Sequence, residues 1–131
     1  MKTVTKRINE IKRGEYGEWV GGKPCSAEPT REEIADAIAQ REPERRGFQQ
    51  HKEELGVEFY SQGEGKCIRL AKQYHAGRAG FFVVNGWEND PIKICVHNVL
   101  EDGGHRLLAA QHLGMETLDC VIVNCNKCLN N

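Results

Sequence analysis

At 131 residues, with 28% charged side chains that balance to a formal net charge of -1, the chain has the length of one domain with its own core. It lacks the global basic field of a protein that clings to nucleic acid irrespective of sequence. No run reaches the length of a membrane span, and MKTVTKRINEIKRGEYG has no apolar signal core, so the expectation is a cytoplasmic protein without a membrane partner.

In chain order, Val4, Ile8 and Ile11 fall at helical spacing and predict at best a short amphipathic helix. The glycine-rich GEYGEWVGGKP breaks it, leaving Tyr16 and Trp19 to cover a core edge. Thr30 and Glu33 have the spacing of a capping box, which starts a helix carrying Ile34, Ala35, Ile38 and Ala39 on one stripe and ending before Pro43. A second, charged helix is expected over 44–55, anchored by Phe48 and Leu55 and stopped by Gly56. Its cations Arg41, Arg45, Arg46 and Lys52 alternate with Glu42, Glu44, Glu53, Glu54 and Glu58, the pattern of a solvated, salt-bridged face. VEFY reads as a short strand.

From Lys66 the pattern sharpens. CIRLAKQYHAG places Cys67, Leu70, Ala71 and Tyr74 on one helical face, with a stop expected near Gly77. FFVV is a strand or a buried helix end, and NGW a turn. PIKICV and HNVLED read as strands, Gly104 to Leu113 as a helix stopped by Gly114, and TLDCVIV as a last buried strand.

Six cysteines in such a chain are expected as thiols rather than as a disulfide framework. Cys67, Cys95 and Cys120 sit in apolar segments and read as core residues. Cys125 and Cys128 form CNKC, the spacing of half a zinc site or a redox pair. With no second CxxC or CxxH and no helix to follow, the expectation is a protein without stoichiometric zinc. His51, His75, His97 and His112 have no partner in sequence and read as plain surface or helix residues.

The stretch LEDGGHRLLAAQHLG holds the most chemistry. Gly103 and Gly104 allow a sharp bend and a close approach to main-chain N–H groups. The helix N-terminus that follows favours an anion, to which Arg106 offers a bidentate fork and His105 a donor or proton-transfer group. The alternative is a plain strand-to-helix turn in which Arg106 pairs with Asp102 or Glu101. Asp102, beside the expected phosphates, is suited to hold Mg²⁺, act as base or buttress Arg106, whereas strand alternation turns Glu101 to the other face. Glu88 and Asp90 are candidates for a second carboxylate loop.

NGWENDPIKICV followed by LEDGGHRLLAAQHLGMETLDCVIV resembles the ParB/sulfiredoxin superfamily, with its G-x-x-x-P-I-x-V segment, G-x-[HR]-R-x-x-A turn-helix and closing strand. The likeness covers about residues 66–124. It implies an α+β fold, with 1–60 as a partly helical N-terminal extension and 61–131 as a nucleotide-phosphate-binding core with a short cysteine-containing tail. It further implies phosphates of ATP or CTP, with Mg²⁺, on Gly103, Gly104, His105 and Arg106, and Asp102 and His105 as catalytic candidates. Members include CTP-hydrolysing DNA clamps, ATP-dependent sulfiredoxins, serine kinases, and stand-alone bacterial and phage forms. Gly104 stands where sulfiredoxins carry their catalytic cysteine, and no helix-turn-helix follows, so neither sulfiredoxin chemistry nor a partition clamp is expected. A phosphohydrolase or small phosphotransferase and a non-catalytic module for a protein or DNA partner both remain open.

Overall fold

The computed structural model describes residues 3–12, 29–40, 43–47, 50, 53–54, 64–88 and 90–126, with side chains over 64–71 excepted. The elements are β1 (Thr3–Arg7), a 3-10 turn (Ile8–Glu10), α1 (Arg31–Ala39), α2 (Glu64–Asn85), β2 (Ile92–Ile94), β3 (Leu100–Asp102), α3 (Gly104–His112) and β4 (Thr117–Ile122). This is a small α+β fold. The VEFY strand and the positions of Tyr16, Trp19, Phe48, His51, Lys52 and Cys128 lie outside the described residues.

The four strands form one mixed sheet in the order β1-β4-β2-β3. β1 runs antiparallel to β4, β4 parallel to β2, and β2 antiparallel to β3. Leu107 and Ala110 of α3 pack on the sheet with Ile92, Ile94, Leu118 and Cys120. Leu108, one residue on, faces Ile34 of α1 and Ala76 and Ala79 of α2. Consecutive residues of a helix point about 100° apart, so α3 carries apolar surface on two sides and lies between the sheet and the helical pair.

Two expectations are corrected. Thr3–Arg7 is a strand, not an amphipathic helix: its residues alternate exposed and half-buried, and Val4 pairs with Cys120. Residues 3–7 thus belong to the sheet rather than to a separate extension, and Lys12 makes an isolated bridge to Val99. The second correction concerns α2, which passes through Gly77 and ends at Asn85, making FFVV helical. Ala76, Ala79 and Gly80 are small where α1 crosses; a Cβ on Gly80 would lie 3.2 Å from Ile38 Cγ1. Close helix approach outweighs glycine's low helix propensity there.

The start of α1 is as expected. Thr30 Oγ1 accepts from the Glu33 amide at 3.1 Å, and Glu33 Oε1 accepts from the Thr30 amide at 2.9 Å. Thr30→Ala is expected to destabilise the protein by about 1 kcal/mol in urea unfolding, with Thr30→Ser close to wild type. Of the helix expected over 44–55, residues 44–47 are not helical, whereas 50, 53 and 54 are; Arg78 and the Tyr74 hydroxyl hold carbonyls of 44–46, and Arg46 pairs with Glu44 and Glu54.

Candidate functional site

β3 ends at Asp102, and the chain turns into α3 through Gly103 with φ at 111° and ψ at 31°. The positive φ thus falls on Gly103 and not on Gly104. A Cβ on Gly103 would meet Ile92 Cγ1 at 3.1 Å and Arg106 Nε at 3.2 Å. Gly103→Val is therefore expected to lower stability by about 2–4 kcal/mol in urea unfolding, combining left-handed strain with overpacking. Having no side chain, Gly103 leaves the first amides of α3 without the usual side-chain acceptor.

Arg106 is buried, its side chain only 6% exposed, and folds back against Gly103. Nη1 donates to the Asp90 carbonyl at 2.5 Å and to Asp90 Oδ1 at 2.7 Å, and Nη2 lies 3.4 Å from Asp102 Oδ2. The guanidinium thus ties the loop before β2 to the turn after β3, and both carboxylates remain largely open to solvent. Glu88 does not join them; it lines a cleft of about 430 Å³ with Trp87, Pro91, Leu113 and Met115. Glu101 faces away, as alternation requires, accepting the Asn126 amide at 3.1 Å. Neither this cleft nor one of about 360 Å³ between α1 and α3 is lined by Asp102, Gly103 or His105.

His105 turns toward α2. Its Nε2 is 2.7 Å from His75 Nδ1, the rings stack with centroids 4.9 Å apart, and Tyr74 meets His105 edge-on at 5.6 Å. One ring donates and the other accepts, which requires the accepting imidazole to be neutral. Burial, reinforced by the charges of Arg78 and Arg106, lowers the His105 pKa to about 4; burial and the neighbouring His105 lower that of His75 to about 3. His105 is therefore a neutral group at pH 7, bonded into the helix interface. His75 is its partner, not a plain helix residue. Thirty positions separate the two in sequence, and no local spacing signals the pair.

A third grouping lies at the other end of the β2–β3 pair. Cys95 and His97, in the turn after β2, and Cys125, just beyond β4, bring two thiols and an imidazole nitrogen within 4.8 Å of one another. The sequence signal is C-x-H at 95–97, a closer spacing than the CxxC or CxxH of common zinc sites.

Among the described residues no helix is long and apolar enough to cross a membrane. No family model, curated protein or solved structure matches the chain.

Proposed function

We propose that the protein binds the phosphates of a nucleotide, ATP or CTP, together with Mg²⁺ at the Asp102–Arg106 turn. The observation that carries this reading is the meeting of three features at one corner: the α3 N-terminus without a side-chain cap, the buried Arg106 guanidinium, and the exposed Asp90 and Asp102 carboxylates. Oxygen donors of this kind suit Mg²⁺, which usually takes one or two carboxylates and fills its other positions with water and phosphate. The 3.4 Å Arg106–Asp102 contact is longer than a good charged hydrogen bond, so it is the one an incoming phosphate oxygen would displace. Asp102 is then free to hold the metal or to accept a proton from an attacking hydroxyl or water. His105, neutral and bonded to His75, orients α3 rather than carrying charge to the phosphates.

The test is calorimetric titration of the full chain with ATP, CTP, GTP and ADP, with and without Mg²⁺. Micromolar binding of a triphosphate that weakens without Mg²⁺ is the expected result; no heat with any of the four overturns the reading. If the bound nucleotide turns over, as a phosphohydrolase or phosphotransferase would require, Asp102→Asn should lower phosphate release or transfer by about 100-fold while changing affinity only a few-fold.

A second reading is favoured by the inward bonds of Arg106, whose Nη1 already engages the Asp90 carbonyl and carboxylate while Nη2 lies beside Asp102. In it the turn is an internal clamp and the protein a non-catalytic module for a protein or DNA partner. This reading predicts silent calorimetry and the same loss of stability on removing Arg106.

A further inference from the structure

We propose that Cys95, His97 and Cys125 form a zinc site that fastens the chain beyond β4 to the β2–β3 turn. The sheet itself creates the juxtaposition. β2 and β4 are parallel neighbours with Ile94 level with Ile122, so the segments leaving their C-terminal ends emerge side by side. Val123 extends the ladder by donating to the Ile94 carbonyl at 2.8 Å, which brings Cys125 alongside the turn that begins at Cys95.

That turn is tightly built. The Asn98 amide donates to the Cys95 carbonyl and the Cys95 amide to the Val99 carbonyl, both at 3.0 Å, and Asn98 takes a left-handed φ of 65°. The turn therefore returns His97 over Cys95. His97 Nδ1 stands 3.4 Å from Cys125 Sγ and 4.0 Å from Cys95 Sγ. Tetrahedral zinc, with Zn–S near 2.3 Å and Zn–N near 2.0 Å, separates sulfur from nitrogen by about 3.5 Å and sulfur from sulfur by about 3.8 Å. The observed spacings are already close to that figure.

Two further contacts suit a metal. The His97 backbone N–H donates to Cys95 Sγ at 3.4 Å, an interaction that stabilises a thiolate and fixes its direction. The Asn126 amide is held by Glu101 at 3.1 Å, so the segment following Cys125 is anchored from the far side as well. Cys95, Cys120 and Cys125 form no disulfide among the described residues. Two thiolates and an imidazole select zinc over Mg²⁺ or Ca²⁺, which require oxygen donors. On binding zinc, each of the two coordinating thiols, Cys95 and Cys125, releases one proton to solvent.

This reverses the expectation of a zinc-free protein drawn from CNKC alone. The site is independent of the Asp102–Arg106 turn, at the opposite end of the β2–β3 pair. The test uses the full chain, purified reduced, stripped with chelator and titrated with Zn²⁺ and with Co²⁺. One zinc per chain is expected, with proton uptake on chelation and, for Co²⁺, the intense visible absorption of tetrahedral thiolate-bound cobalt. Cys95 is fully buried, so its replacement risks unfolding the protein; His97→Ala and Cys125→Ser lie near the surface and carry the test instead. Each should weaken zinc by more than the roughly 10–100-fold caused by losing a hydrogen-bond partner behind a metal ligand. Cys120→Ala, whose thiol lies in the core and outside the cluster, should retain the metal if folded by circular dichroism. Failure of the reduced protein to take up zinc, a Cys95–Cys125 disulfide in its place, or unchanged affinity in both surface variants would overturn the site.

Discussion

Taking the protein from pH 7 to pH 5 is expected to remove about 4 kcal/mol of its unfolding free energy, a large share of the stability of a small domain. The source is the His75–His105 pair. In the fold, burial and the neighbouring His105 lower the His75 pKa to about 3, and burial with the nearby Arg78 and Arg106 charges lowers that of His105 to about 4, so both imidazoles are neutral. In the unfolded chain both return to about 6.5. Between those limits the unfolded state binds protons that the folded state refuses, so stability rises with pH. The contribution is complete above about pH 6.5 and is lost as pH falls toward the folded values, at up to about 1.4 kcal/mol per histidine per pH unit. Urea unfolding at pH 7, 6 and 5 measures it, in a range where ordinary carboxylates have barely begun to protonate. The double variant His75→Phe, His105→Leu should flatten the profile. A wild-type midpoint that stays constant from pH 7 to pH 5 would rule out a neutral buried pair.

Arg106→Ala should cost about 2–4 kcal/mol of stability, because charge-assisted hydrogen bonds contribute about 1.5–3 kcal/mol and the side chain is also packed. Its guanidinium lies 5.9 Å from the Phe82 ring centroid and bonds to the carbonyl and carboxylate of Asp90. The acidic partners behave differently. Asp90 and Asp102 are 65% and 60% exposed, and each asparagine variant leaves the buried Arg106 one remaining carboxylate and the Asp90 carbonyl, so each should cost less than Arg106→Ala, about 1–2 kcal/mol. Arg106→Lys should recover only part of the loss, since an ammonium cannot reach two loops with a planar fork. Measured beside nucleotide titration, the same variant separates the two functional readings. Lower stability with binding also weakened, by about 10-fold or more, supports the phosphate site. A variant that is destabilised but binds as the wild type does would make Arg106 a clamp alone.

Much of the second half of the chain was legible locally. β2 starts after Pro91, where the ring excludes a ladder donor, and Gly114 ends the α3 segment with a φ of 73°. The Thr30–Glu33 box is a contact between residues three apart, and such contacts are written in the spacing itself. β1 was not legible. Only Val4 among its residues is a strong apolar signal, and its partners on β4 lie more than a hundred positions away. Gly77 was a misleading stop because the cost of glycine in a helix is about 1 kcal/mol, less than the packing of Ala76, Ala79 and Gly80 against α1 returns.

The sequence by itself determined the strand–strand–turn–helix–strand order of residues 91–122, a glycine in the turn before α3, and the presence of Asp102 and Arg106 beside a helix N-terminus. These follow from short-range sterics, capping and hydrophobic period, which act over a few residues. Only the tertiary structure decided what those groups face. It turned Arg106 inward onto Asp90, sixteen positions upstream, and paired His105 with His75 across two helices. By setting β2 parallel to β4, it also brought Cys125 to Cys95 and His97. The physical reason is the same in each case: a buried cation, a neutral imidazole pair and a thiol cluster are defined by partners distant in sequence, and long-range strand register and helix crossing choose those partners.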